Sequence, residues 1–313
     1  MEAYKLKPKN NKSVNLKPLV SIVIPCYNHA QYVQETIQSV IDQDYDNIEL
    51  IIIDDGSKDN SVEKIQELIP ACEKRFVRFE FRHRPNKGLS ATLNESLLWC
   101  KGAYFFPLAS DDIIYPTIIR KEVMLLENNP KYAMCHTHAE SIFTQPDVAK
   151  YQTKHYEFEF HDLINKNQIY APTAMIKMEV LKELNGFDES LYMEDWDLWL
   201  RLTHKGYKIA FINEVLAFYR QHENNSYKNH DKMEEASDLI LKKWKGHKSY
   251  ASAIKNEKLR RFDLYAEIDK SRALKYLPYA LCHPSEKKSY LGIIKLLVPT
   301  SLYPVIRKLI KRL

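Results

Sequence analysis

From residue 19 to residue 112 the chain repeats one pattern: a short apolar run, a polar break, and a segment whose apolar residues recur at helical spacing. Leu19-Val20-Ser21-Ile22-Val23-Ile24 predicts a strand closed by Pro25, followed by a helix carrying Val33, Ile37, Val40 and Ile41. Ile48-Glu49-Leu50-Ile51-Ile52-Ile53 predicts the next strand, ended by Asp54-Asp55-Gly56-Ser57, with a helix through Val62, Ile65 and Leu68. A third strand is expected over 75–81, a helix from Asn86-Lys87-Gly88 through Leu89, Leu93 and Leu97, and a fourth strand over 103–109. Strands that are apolar on both faces and separated by helices belong in a parallel sheet covered on both sides, because a half-solvated sheet alternates polar and apolar residues. The fold class is therefore α/β, with ligands expected beyond the carboxyl ends of the strands. Tyr27, Asp55, Asn86 and Asp111 all fall there.

Composition narrows the chemistry. With 313 residues, 45% of them hydrophobic, the chain can bury a sizeable core. It has 7 glycines and neither the Gly-x-Gly-x-x-Gly nor the P-loop fingerprint, which sets aside those two modes of phosphate binding. Cys26, Cys72, Cys100, Cys135 and Cys282 are odd in number and outside any Cys-x-x-Cys spacing, the usage expected of reduced thiols in a cytoplasmic chain. The Lys- and Asn-rich start lacks the apolar stretch of a secretory signal. The net charge of +5 is uneven: residues 1–18 carry +4 and residues 287–313 carry +7, which leaves the middle at −6. Basic ends suit an anionic surface, whereas an acidic middle does not make a nucleic-acid groove, so no nucleic-acid partner is expected.

The acidic pair Asp111-Asp112, preceded by Ser110, stands at the exit of the fourth apolar run. Two carboxylates at a strand's end can hold a divalent cation with hard oxygen ligands, and they can equally be solvated loop residues. What lies around the pair decides the matter. Val20-Ser21-Ile22-Val23-Ile24-Pro25-Cys26-Tyr27-Asn28 comes first, and Ile53-Asp54-Asp55-Gly56-Ser57-Lys58-Asp59 second. Asn86-Lys87-Gly88, with Asn94 six residues on, leads into the acidic pair. Gly186-Phe187-Asp188-Glu189, Glu194-Asp195-Trp196-Asp197-Leu198-Trp199-Leu200-Arg201 and Tyr219-Arg220-Gln221-His222 close the series. In this order and spacing the motifs closely resemble the family 2 glycosyltransferases of the GT-A fold, over roughly residues 18–226.

The resemblance implies a Rossmann-like, mostly parallel central sheet flanked by helices, and a role for each motif. The backbone near Pro25 and the ring of Tyr27 would line a nucleobase slot, and Asp55 would accept a hydrogen bond from a base N–H, with Asp54 the more structural of the two. Lys87 would approach the diphosphate or remain a solvated lysine. Asp111 is expected to meet the ribose hydroxyls and Asp112 to ligate Mn²⁺ or Mg²⁺. Ala109 stands where many relatives carry an acid, which leaves open how Asp111 and Asp112 divide ribose and metal duties. Asp195 is implied as the general base, with Glu194 and Asp197 as alternatives; Glu194 could instead orient the acceptor, either could simply favour the helix N-terminus, and Trp196 would support the site. His222 would close over the metal or diphosphate, and Arg220 would clamp phosphate oxygens or form an ordinary salt bridge. His136 and His138 have the form of a ligand pair, but with no cysteine or carboxylate cluster at metal spacing they read as strand residues.

The expected organisation is a basic tail over 1–17, a catalytic domain over 18–226 (nucleotide-binding half 18–115, acceptor half 116–226) and a helical region over 227–313. Residues 146–168 read as a polar and aromatic loop. At the end, Ile306, Leu309, Ile310 and Leu313 share one helical face while Arg307, Lys308, Lys311 and Arg312 take the other, the pattern of a basic amphipathic helix on an anionic membrane. Lys295, Pro299 and Pro304 interrupt the apolar run, so 289–313 is expected to lie on a surface rather than span it. The resulting expectation is an inverting, metal-dependent enzyme at the cytoplasmic face of the cell membrane. It would move one sugar from a nucleotide-diphosphate donor to a saccharide, carried on polyprenyl diphosphate, in surface-polysaccharide synthesis. The alternatives are a non-catalytic sugar-nucleotide or glycan-binding module, and an enzyme acting on a protein or soluble glycan.

Overall fold

The computed structural model describes residues 17–141, 157–299 and Leu302. In chain order the first elements are β1 (Val20–Cys26), α1 (Val33–Ile41), β2 (Ile48–Asp54), α2 (Ser61–Gln66), α3 (Ile69–Arg75), β3 (Arg78–His83), α4 (Leu89–Leu97), β4 (Tyr104–Pro107), β5 (Ile113–Ile114), α5 (Ile118–Asn128) and β6 (Tyr132–Glu140). There follow β7 (Glu157–Phe158), α6 (Phe160–Asn165), β8 (Met175–Lys177), α7 (Met178–Glu183), α8 (Glu194–His204) and β9 (Lys208–Phe218). Five helices follow among the described residues: α9 (His230–Lys243), α10 (Tyr250–Ile268), α11 (Lys270–Leu274), α12 (Leu277–Leu281) and α13 (Lys287–Leu297). The described residues form two compact units. The first takes residues 17–141, 170–187 and 210–221, and the second 157–169, 188–209 and the chain from 222.

The first unit is built on a sheet of order β3-β2-β1-β4-β8-β6-β9-β5. β1 pairs in parallel with β2, Val20 beside Ile48 through Cys26 beside Asp54, and also with β4. β2 pairs in parallel with β3. Beyond β4 the sheet turns antiparallel, β8 pairing with β4 and β6, and β5 with β9. Val20, Ile22 and Ile24 pack with Ile48, Leu50 and Ile52 against Val33, Ile37 and Val40 of α1. Val23, Ile51, Ile53 and Phe105, alternate to these along their strands, are buried as well. Both faces are therefore covered, as the unbroken apolar runs require. Glu49, the charge inside the apolar run 48–53, is fully buried and fully engaged. Ser21 Oγ donates to it at 2.6 Å, Arg78 at 2.8 Å, and the Lys101 and Gly102 amides at 2.5 and 3.0 Å.

In the first unit two elements differ from expectation for local reasons. The helix through Leu68 is two helices, because Pro70 lacks the N–H a continuing helix needs and instead starts α3. The strand expected from 75 begins at Arg78, since Arg75 ends α3 and its guanidinium donates to the carbonyls of Ile41, Gln43 and Tyr45.

The second unit joins 157–169 and 188–209 to the C-terminal helices. Residues 157–165, expected as loop, form β7 and α6, and α6 opens with a capping box between Glu159 and Asp162. The core at its C-terminal end gathers Leu259, Phe262, Tyr265 and Ala266 of α10 with Ala273 and Ala280, covered by Ile293 and Leu296 of α13. Gly292 lets α13 lie on the Phe262 ring, which a Cβ would meet at 2.6 Å. Ile294 and Leu297 remain exposed. No helix among the described residues is long and apolar enough to cross a membrane. The basic amphipathic segment over 304–313, like the tail over 1–16, lies outside the described residues.

Candidate active-site residues

In the first unit the carboxyl ends of β1 and β2 are tied together by polar side chains. The Asp55 amide donates to the Cys26 carbonyl at 2.7 Å, Asn28 receives the Lys58 amide at 2.7 Å, and the Asn28 amide donates to Ser57 Oγ at 2.9 Å. Asp54 makes the turn: its Oδ1 accepts the Gly56 and Ser57 amides and its Oδ2 the Ser57 hydroxyl. Gly56 is required here, with φ +79° and the Asn86 amide nitrogen 2.7 Å from where a Cβ would stand. Asp55 reaches the other way. Oδ1 accepts from Arg84 and from the Lys87 amide at 2.8 Å, and Oδ2 accepts the Gly88 amide at 2.9 Å. It therefore holds the 84–88 loop at the sheet's edge. Lys87 points its ammonium to Glu95 at 3.1 Å with the side chain 57% exposed. Tyr27 is 45% exposed, so its ring is not core packing, and Pro25 sits in β1 beside Ile53.

The acidic pair follows β4. Both Asp111 and Asp112 are buried, Asp112 at 1% exposure. Asp112 Oδ1 accepts the Arg220 amide at 2.8 Å, and its carbonyl accepts Thr36 Oγ1 at 2.8 Å. Its Oδ2 has no hydrogen-bond partner among the described residues. Burial, then the Asp111 charge, push the Asp112 carboxyl well above the usual carboxylate range, against the pull of Arg220. The Arg220 guanidinium donates to the Asp111 carbonyl at 2.8 Å, pairs with Glu35 and lies 4.9 Å over the Tyr32 ring. It thus fastens the end of β9 to the acidic turn. His29 was not singled out from the sequence. Its Nδ1 is 2.8 Å from Ser110 Oγ and 3.9 Å from Asp111 Oδ1. The available signal was its place two residues beyond Tyr27, at the exit of the strand paired with β4.

In the second unit, α8 starts at Glu194 with three acids in its first turn, where the helix dipole favours them. Asp195 Oδ1 accepts the Trp196 amide at 2.6 Å, and Oδ2 accepts Asn167 Nδ2 at 3.3 Å. Burial raises the Asp195 carboxyl above its ordinary value despite these bonds. Glu194 is pushed up to about 8, by burial first and the Asp195 charge second. Trp196 is buried and donates its indole N–H to the Leu163 carbonyl at 2.7 Å, so it locks α8 to α6. Asp197 is fully buried between Arg201 and Lys243, both at 2.7 Å, an engagement that ties it to packing rather than to proton transfer. His222 accompanies Asn225, whose Oδ1 accepts the His222 amide at 2.6 Å.

The sequence model described as "Glycosyl transferase family 2" matches residues 21–184. An uncharacterized glycosyltransferase of Rickettsia typhi is 32% identical over 222 residues, 68% of this chain and 67% of that one. The chain is a family 2 glycosyltransferase. Among solved structures, S. aureus TarS 1–349 in complex with UDP-GlcNAc superposes with a TM-score of 0.63 at 17% identity, covering 84% of this chain and 80% of that one. The mannosyltransferase PcManGT of Pyrobaculum calidifontis, in complex with GDP-Man and Mn²⁺, gives 0.63 at 13% identity, covering 96% and 82%. These likenesses show the GT-A fold.

A divalent cation is implied by such a fold, and the acidic turn fits one. The glycosyltransferase buries two adjacent carboxylates, one with an oxygen that lacks a partner among the described residues. Such a group is costly unless positive charge meets it. Asp111 and Asp112 are the oxygen donors available to a hard cation, with the His29 imidazole facing Asp111.

Proposed function

We propose that this glycosyltransferase is an inverting, divalent-cation-dependent enzyme that moves one sugar from a nucleotide-diphosphate sugar to a saccharide acceptor. The observation that carries the reading is the buried Asp112 carboxylate, one oxygen without a partner among the described residues, beside Asp111 at the carboxyl end of the parallel strands. The exposed Tyr27 ring offers the base a stacking face, and Asp55 Oδ2, which among the described residues accepts only the Gly88 amide, retains a lone pair for a base N–H. Asp111 and Asp112 would hold Mn²⁺ or Mg²⁺, which would neutralise charge on the diphosphate. Arg220 and His222 serve the same end of the donor, and Lys87 reaches it by leaving Glu95. Asp195 takes the acceptor hydroxyl's proton as that oxygen bonds to the anomeric carbon. The bond from that carbon to the diphosphate breaks, and its electron pair leaves with the nucleotide. Attack opposite the leaving group inverts the centre. Glu194, Trp196 and Asn167 position the base.

TarS and PcManGT were solved with UDP-GlcNAc and with GDP-Man and Mn²⁺, which supports a nucleotide-sugar donor here. We place the acceptor on a polyprenyl diphosphate carrier in surface-polysaccharide synthesis. The enzyme would rest on the cytoplasmic face of an anionic membrane through residues 289–313, on the support of their charge and the exposed Ile294 and Leu297. The test is a thermal-shift panel of UDP-, GDP- and dTDP-sugars with Mn²⁺ or with chelator. At least one donor should raise Tm with Mn²⁺ and lose that effect with chelator or in Asp112→Asn. A stabilising donor that is indifferent to chelator contradicts the metal role.

A further inference from the structure

A cleft of about 410 Å³ in the second unit is lined by His161, Asp162, Asn165, Lys166, Gln168, Ser252, Asn256 and Lys288. Its walls come from α6, the segment after it, α10 and α13. The ammonium groups of Lys166 and Lys288 make no ion pair or hydrogen bond among the described residues. Lysines without partners are ordinary on an open surface, but Lys288 is half-buried, and burial together with the Arg260 and Lys166 charges holds its ammonium below its usual pKa against the pull of Glu257 and Asp263. An anion between the two lysines would relieve both effects.

The remaining lining is organised rather than loose. Asn165 Oδ1 collects Ser252 Oγ and Asn256 Nδ2, each at 2.7 Å, which fixes both polar groups in the wall. Amide, hydroxyl and imidazole groups in one cleft are the donors and acceptors that hydroxylated ligands use. The one acid, Asp162, is committed to the capping box, its Oδ2 accepting the Glu159 amide at 3.0 Å.

The cleft is also joined to the proposed base. Lys166 has extended backbone, φ −165° and ψ 123°, so neighbouring side chains in this segment point to opposite sides. Lys166 and Gln168 face the cleft, and Asn167 between them donates to Asp195. A ligand in the cleft therefore lies behind the same short segment that orients the carboxylate.

We infer that this cleft is an acceptor subsite for a saccharide bearing an anionic group, a carboxylate or a phosphate ester, held between Lys166 and Lys288. The inference rests on the transferase reading above, since it assigns the cleft to the acceptor of that reaction.

The test uses the full chain with four probes: methyl β-glucuronide, glycerol phosphate, methyl β-glucoside and inorganic phosphate, each titrated by ligand-observed NMR. UDP binding with Mn²⁺ is measured alongside in wild type and in the double variant Lys166→Gln/Lys288→Gln. The glucuronide or the glycerol phosphate should bind at least tenfold more tightly than the neutral glucoside. The double variant should lose at least tenfold of that affinity and keep UDP binding unchanged. Equal binding of charged and neutral probes, unchanged binding in the variant, or inorganic phosphate binding as tightly as the esters would each overturn the inference. Failure of UDP to bind wild type would count against the transferase reading instead, so the two failures are separable.

Discussion

At the scale of single residues, the protein places its carboxylates in three different environments and thereby gives them different chemistry. Asp54 is occupied by amide and hydroxyl donors and Asp55 by Arg84 and two amides, which makes them builders of the sheet's edge while Asp55 Oδ2 keeps a lone pair. Asp112 is buried with an oxygen that lacks a partner among the described residues, which suits a cation. Glu194 is raised by burial and the Asp195 charge, and Asp195 by burial, which suits proton transfer. The raised Glu194 carboxyl has a consequence for stability. Its folded value of about 8 lies above its ordinary value of 4.5, so ionisation is harder in the folded chain. The destabilisation is absent below 4.5, grows as pH rises, and is complete above about 8. Glu194→Gln should therefore gain thermal stability over wild type as pH rises from 5 to 9, by several degrees at the alkaline end. Melting curves across that range check it, and a difference independent of pH would contradict the environment assigned to Glu194.

Elements are positioned by a few side-chain clamps as much as by apolar burial. Asn94 on α4 accepts the Phe187 amide at 2.8 Å and donates to the Phe187 carbonyl at 2.9 Å, so one side chain closes a link between residues 93 apart. Asn94→Ala leaves both backbone groups without that partner, and should cost about 2 kcal/mol and lower Tm by about 5 °C. Asn94→Asp, which keeps the acceptor and loses the donor, should fall between. Urea and thermal unfolding measure both. Such clamps mark the limit of what the sequence made legible. β1, β2 and β4 were readable because strands buried on both faces are apolar at nearly every position. The acidic turn and Asp195 were readable because their motifs are local. The break at Pro70 was not, because Ile65 and Leu68 continue a helical period up to the residue that ends it. α6 was hidden in a polar stretch, since its capping box begins with Glu159, an uncommon cap residue. His29 was missed because its neighbour Ser110 is 81 residues away. Asn167 was missed for the same reason: nothing in a linear pattern ties it to Asp195.

On the scale of the whole molecule, the candidate donor residues from Pro25 to Asp112 belong to the first unit, while Asp195 and the polar cleft belong to the second. The membrane proposal concerns residues 289–313, which begin within α13 of the second unit, and its test removes only 300–313. Removing 300–313 should abolish sedimentation with anionic vesicles while leaving UDP binding intact, and unchanged sedimentation would remove that role for the segment. The division between units also makes the central claim testable by one substitution. Asp195→Asn keeps the size of the side chain and its acceptor contact with the Trp196 amide, but it cannot take a proton. The decisive measurement is sugar transfer by Asp195→Asn beside its affinity for the donor, with Mn²⁺ present. The account predicts that transfer falls by about 10²–10⁴-fold with donor affinity unchanged; transfer at the wild-type rate by a variant that still binds donor would contradict it.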